Sequence, residues 1–119
     1  LKNNLNRVLA NLKYDITTDD EGTIFYRVNG QLHREDGPAV IHPDGGKEWW
    51  LNGERHRSRG PAIIYSDGSQ EWYRNDQLHR LNGPAIKCAD NGAQIYYRNG
   101  VLIKIMFKVG DQEEGVGIL

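Results

Sequence analysis

The chain reads as a mainly β protein: an antiparallel β-meander of stacked hairpin repeats, a solenoid-like single sheet with an N-terminal capping α-helix. Three observations predict this. A unit of 23 residues recurs, placing His33, His56 and His79 in register, with Gly-Pro-Ala at Gly37, Gly60 and Gly83. Each unit holds two turn dipeptides. Between the turns lie short runs rich in Ile, Val, Trp and Tyr, residue types that suit a pleated, half-buried surface.

The elements follow in order. Leu5, Val8, Leu9 and Leu12 fall at helical spacing, so residues 1–14 are expected to form an amphipathic helix covering an edge or face of the sheet. Three and a half hairpin repeats then occupy 22–104. Asn29-Gly30, Asn52-Gly53 and Asn99-Gly100 accept positive φ at both positions of a type I′ turn, and Asn75-Asp76 holds the equivalent place. Asp44-Gly45, Asp67-Gly68 and Asn91-Gly92 mark the second turn. Residues 105–119 form a C-terminal strand and tail, with a turn from Gly110 to Gly115.

Register follows from the turns. A two-residue loop at Asn52-Gly53 sets Leu51 opposite Glu54, Trp50 opposite Arg55, Trp49 opposite His56 and Glu48 opposite Arg57. Around Asp67-Gly68 the same rule sets Ile63 opposite Trp72. One face then carries Tyr26, Trp49, Trp72 and Tyr96, the three histidines, and Val40, Ile63 and Ile86; this is the expected core. The other face carries Trp50, Tyr73 and Tyr97, with Glu48 and Glu71 across from Arg57 and Arg80. Pro38, Pro61 and Pro84 suit the first residue of a strand, after a bend that Gly37, Gly60 and Gly83 allow.

Composition narrows the function classes. The 119 residues suffice for one small domain, and a net charge of -1 lacks the broad basic footprint of a nucleic-acid binder. A single cysteine, Cys88, permits no internal disulfide and fits a reducing, cytoplasmic setting. No apolar run reaches the ~20 residues of a membrane span. The chain begins at Leu1 rather than Met, which reads as a piece of a longer protein.

The run Trp50-Leu51-Asn52-Gly53-Glu54-Arg55-His56, followed by Asp67-Gly68 and repeated every 23 residues, resembles the MORN repeat. It is also similar to the MORN-like repeats of bacterial antitoxin-type, phage and large-virus proteins. The resemblance covers Gly22 to Lys104. The typical unit has Tyr-x-Gly-x-Trp after Asp-Gly and His-Gly-x-Gly after the turn; here Lys47-Glu48-Trp49-Trp50 and His56-Arg57-Ser58-Arg59-Gly60-Pro61-Ala62 stand instead. The resemblance implies scaffolding and protein binding, sometimes phospholipid contact, and no catalysis.

The candidate partner-binding residues are Trp50, Tyr73, Tyr97, Arg55, Arg57 and Arg80, because Trp, Tyr and Arg dominate interface hot spots. The histidines lie two strands apart, about 10 Å, too far to share one metal ion. They are expected to be half-buried beside the aromatic column, bonded to turn backbone, with protonation loosening the array in mild acid. No nucleophile motif, catalytic residue, cofactor or metal site is expected. The expected function is a non-catalytic interaction module that binds another protein, in one form a phage or mobile-element inhibitor or antitoxin-like neutraliser. The alternatives are nucleic-acid or anionic-lipid binding through the Arg-rich aromatic face, and an assembly protein pairing with its own copies through a sheet edge or the C-terminal strand.

Overall fold

The computed structural model describes residues 12–117. The strands are β1 (Asp15–Thr18), β2 (Ile24–Val28), β3 (Gln31–Leu32), β4 (Val40–Ile41), β5 (Lys47–Glu48), β6 (Trp50–Leu51), β7 (Glu54–Arg55), β8 (Ile63–Ile64), β9 (Gln70–Glu71), β10 (Tyr73–Arg74), β11 (Gln77–Leu78), β12 (Ile86–Lys87), β13 (Gln94–Arg98), β14 (Val101–Val109) and β15 (Gln112–Gly117). The protein is mainly β, and every pairing is antiparallel. Residues 1–11 of the expected capping helix lie outside the described residues, as do the last two of the tail.

The expected single meander is divided. One long sheet runs β1-β2-β4-β5-β8-β9-β12-β13-β14-β15, with β3 on β2. Two hairpins, β6-β7 and β10-β11, form ladders of their own. The chain therefore leaves the long sheet at Trp49 and at Trp72, makes a hairpin, and returns through Gly-Pro-Ala. The resulting rod measures 54 × 26 × 26 Å.

The four tip turns adopt the positive φ that their composition predicts: Asn29, Asn52 and Asn99 near +50°, each followed by Gly at +79°. Asp76 holds the fourth turn without glycine, at φ 65°. Its carboxylate accepts a hydrogen bond from Arg55 Nε and its N–H donates to Arg55 O, which offsets the strain. Trp50 pairs with Arg55 and Leu51 with Glu54, as the two-residue loop requires.

The other turns differ by one residue. Tyr65 N–H donates to Ser69 O and Gly68 N–H donates to Tyr65 O, leaving a three-residue loop with Gly68 at φ 91°. Ile63 consequently pairs with Glu71, not with Trp72. A slip of one residue reverses which side chains share a face. Tyr73, expected on the outer face, is buried with Ala62 and Ile63, while Trp49, expected on the core face, packs against the same cluster with Leu78. The core thus draws on both the long sheet and the small hairpins.

The C-terminal end also differs. Gly110-Asp111 alone forms the turn, and Gln112 to Gly115, expected as loop, belong to β15. Between β13 and β14, Tyr96 pairs with Lys104 and Tyr97 with Leu102, so Ile103 of β14 is bulged out at the place where the repeat would put its next His.

The alanine of Gly-Pro-Ala is the tightest point of each unit. Ala39, Ala62 and Ala85 are all 0% exposed. Ala62→Leu forces three extra carbons into a closed joint and is expected to destabilise the fold by about 1–3 kcal/mol in urea unfolding, whereas Leu81→Ala, at an exposed position, stays within about 0.5 kcal/mol of the parent.

Candidate functional site

The signature His-Arg-x-x-Gly-Pro-Ala resolves into a set of contacts repeated at each joint. Nδ1 of His33 accepts the N–H of Asn52 at 2.9 Å, Nδ1 of His56 that of Asn75 at 3.0 Å, and Nδ1 of His79 that of Asn99 at 2.9 Å. Each imidazole latches onto the tip turn of the following unit. A backbone N–H only donates, so Nδ1 is the acceptor and the neutral ring carries its proton on Nε2. A second proton, on Nδ1, removes the latch.

The arginine after each His stands over an aromatic ring. Arg34 Cζ stands 4.0 Å from the Tyr26 centroid, Arg57 Cζ 3.8 Å from that of Trp49 and Arg80 Cζ 4.0 Å from that of Trp72. Each guanidinium also donates through Nη1 to a proline carbonyl, that of Pro38, Pro61 or Pro84, at 3.1–3.2 Å. The glycines are explained by the same stack. A Cβ on Gly83 would stand 2.8 Å from Arg80 Nη1, and one on Gly37 or Gly60 3.0 Å from the corresponding Cζ. The expected bend is not the common reason, because only Gly60 of the three has positive φ.

Glu48 and Glu71 do not face Arg57 and Arg80. Glu48 accepts from Trp50 Nε1 at 2.9 Å and meets His42 Nε2 at 2.6 Å. Glu71 accepts from the hydroxyls of Tyr73 at 2.9 Å and Tyr65 at 3.0 Å. Burial, and then the Glu71 carboxylate, push the Tyr65 phenol up to about 12, and the same causes raise Tyr73.

Between successive units the surface opens into two concavities. One, of about 530 Å³, is lined by Arg34, Glu35, Asp36, Gly37, Trp49, Leu51, His56, Arg57, Ser58 and Arg59. The other, of about 400 Å³, is lined by Arg57, Ser58, Gly60, Trp72, Tyr73, Arg74, His79, Arg80, Leu81 and Asn82. Most of these positions correspond under the 23-residue repeat. The two adjoin, sharing Arg57 and Ser58, and are together called the groove along the joints.

Of the six sequence-predicted residues, Arg57, Arg80 and Tyr73 line this groove, the tyrosine from its buried place in the core. Trp50, Tyr97 and Arg55 do not. Trp50 is tied to Glu48, and Arg55 lies 4.2 Å from the Tyr73 ring centroid while paired with Asp76. Burial opposes the charge on Arg55, but the Asp76 hydrogen bond and the charges of Tyr73, Asp76 and Glu71 together outweigh it and raise the pKa. At Arg57 burial acts without a carboxylate to offset it, and lowers the pKa.

Trp49, Trp72, His56, His79 and Arg34 are groove residues that sequence reasoning had assigned to the core face or passed over. The signal available was the coincidence of Arg and Gly three residues apart in every unit. Among the described residues, no three His, Cys, Asp or Glu side chains gather as a metal site, and no helix is long and apolar enough to cross a membrane.

No protein-family model, curated protein or solved structure matches the chain.

Two predictions follow from these contacts. Gly83→Ala, which on chain entropy alone would stabilise by about 0.4–1 kcal/mol, is expected instead to cost roughly 1 kcal/mol by lifting Arg80 off Trp72 and Pro84. An Arg80→Ala background removes that penalty, so a double-mutant cycle in urea reads it directly. The tyrosines set an alkaline limit. A phenol whose pKa is raised on folding contributes stability that is complete below 10 and is lost as pH climbs toward about 12. Melting temperature is expected to fall across that window, and Glu71→Gln, which removes the carboxylate, to make the fall shallower.

Proposed function

We propose that the chain is a non-catalytic, MORN-like protein-binding module that works in a cytoplasmic setting and holds its partner in the groove along the joints. The observation that supports this most directly is the groove's lining. Two tryptophans and three arginines stand on a rigid array of hydrogen bonds: Trp49, Trp72, Arg34, Arg57 and Arg80. These are the residue types that concentrate interface energy, and their rotamers are already held by stacking, so little conformational entropy remains to be lost on binding. A non-catalytic role is in keeping with His33, His56 and His79, each committed through Nδ1 to a neighbouring turn. An inhibitor or antitoxin-like role, carried in a phage or mobile element, is a form of this reading that the MORN-like resemblance favours.

A second reading has a specific observation behind it. Arg57, Arg74 and Arg80 line one end of the groove beside Trp72, with no acidic residue in that lining. Cations interleaved with an aromatic ring suit single-stranded nucleic acid. The acidic residues Glu35 and Asp36 at the other end, and a net charge of -1, weigh for protein.

Ser58 is exposed and lies in both halves of the groove, so it serves as a plug point. In a Cys88→Ala background, Ser58→Cys gives a single thiol that a bulky maleimide caps. The uncapped protein is expected to retain a protein partner from native-cell lysate, and the capped protein to lose it. Retention by both forms removes the groove as the site. A retained ligand that nuclease destroys establishes the nucleic-acid reading instead.

A further inference from the structure

Within the His-Arg-x-x-Gly-Pro-Ala signature the repeats differ only at the two positions after the arginine. After His33-Arg34 come Glu35 and Asp36; after His56-Arg57 come Ser58 and Arg59; after His79-Arg80 come Leu81 and Asn82. In the first repeat these carboxylates complete the corner. Glu35 Oε1 meets His33 Nε2 at 3.3 Å, and Asp36 Oδ1 accepts from Arg34 Nε at 3.1 Å. In the later repeats the same arginine makes the same aromatic stack and the same bond to the proline carbonyl. The carboxylates are missing, and with them a hydroxyl like that of Tyr14, which in the first repeat donates to Asp36 Oδ1 and accepts the Glu35 N–H. Among the described residues, Arg57 and Arg80 have no ion-pair partner, and the buried Nε2 of His79 has no hydrogen-bond partner.

We infer that the His79–Arg80 corner and the adjoining His56–Arg57 corner are carboxylate-binding sites, which take successive acidic side chains from an extended segment of a partner protein. The first repeat shows within this chain how the complement sits: one carboxylate on the edge of the guanidinium that the ring and the proline leave open, another beside the imidazole. Arg to carboxylate is a charge-assisted contact, strengthened here because the guanidinium is already oriented and partly desolvated. The adjoining tryptophans, Trp49 and Trp72, supply flat apolar surface on which the residues between the acids rest.

The spacing selects the segment. Successive units are two strands apart in the long sheet, about 10 Å. A chain in the polyproline II conformation advances ~3.1 Å per residue and presents the same side every third residue, about 9.3 Å. Acidic residues at every third position therefore meet successive corners without strain.

This inference deepens the protein-binding reading and rests on it. Its test uses a capped peptide of Glu-Pro-Pro repeats, measured by calorimetry or tryptophan fluorescence against the described chain at low salt. Controls are the Gln-Pro-Pro peptide, a Glu-Pro peptide with the wrong spacing, inorganic phosphate and an oligothymidylate. Two protein variants restore the first repeat's carboxylates at the later corners: Leu81→Glu with Asn82→Asp, and Ser58→Glu with Arg59→Asp. Both change exposed positions, and circular dichroism and melting temperature are expected to stay at or above those of the parent. The Glu-Pro-Pro peptide is expected to bind at least roughly tenfold more tightly than either peptide control, and each variant to lose about that factor.

Equal binding of the Glu and Gln peptides overturns the inference, as does unchanged affinity in both variants. Tighter binding of oligothymidylate or phosphate, with the same sensitivity to the variants, reassigns the corners to phosphate. If the peptide fails while maleimide at residue 58 still blocks partner capture, the groove remains a protein site and only its preference for acids falls. If capture also ignores the maleimide, the protein-binding reading falls with it.

Discussion

Ala62 has no exposed surface and both of its backbone groups are engaged: its N–H donates to Glu71 O at 2.8 Å, and its carbonyl accepts from Trp49 N–H at 2.7 Å. One residue therefore ties the strand behind it to the strand ahead. Ala39 joins Tyr26 to Glu48 and Ala85 joins Trp72 to Ile95 in the same way. A buried peptide group left unpaired is costly, so these bonds decide where the chain can go. Because the alanine must sit against two neighbours, no larger side chain fits. Because the preceding residue is proline, the chain enters the joint with φ fixed and no stray donor. The long sheet continues past the joint, and the hairpin is pushed out of it.

The rest of the signature secures that hairpin. Its tip is held by the imidazole of the preceding unit. Its flank is held by the arginine backbone, whose N–H donates to the backbone carbonyl of the aromatic residue in the next hairpin: Arg34 to Trp50, Arg57 to Tyr73, Arg80 to Tyr97. A third bond runs from the tip to the preceding strand, from Gly53 to Leu32, Asp76 to Arg55 and Gly100 to Leu78. Each joint is short-range in space and repeats along the rod, so stability accumulates from neighbour to neighbour rather than from one central core. This accounts for a buried cluster that, among the described residues, contains only Ala62, Ile63 and Tyr73.

A consequence for function is that the side chains most reliably placed are also those that line the groove. The arginine held between ring and glycine keeps one edge of its guanidinium toward the surface, at a repeat distance set by the sheet. Identity between repeats builds the groove; difference between them, at the two positions after each arginine, sets its charge. The first unit is neutralised from within by Glu35 and Asp36, and the later units are not.

The period, the tip turns, the strand-rich character and the antiparallel pairing are properties of local composition, and they were legible in the chain itself. Asn-Gly at a tip admits one kind of turn, and Trp50 opposite Arg55 follows from it without further information. The Asp-Gly loops were different. Two-residue and three-residue closures are both compatible with that dipeptide, and only the pairing of Ile63 with Glu71 distinguishes them. That single residue shifted the register of the long sheet, and Tyr73, one member of the expected outer aromatic row, lies in the core. The groove was hidden for the same reason. Trp49 and the stretch from Arg57 to Pro61 lie on opposite sides of the hairpin tip and converge only when the hairpin leaves the long sheet, a choice made by buried backbone hydrogen bonds and not by the preference of any one residue.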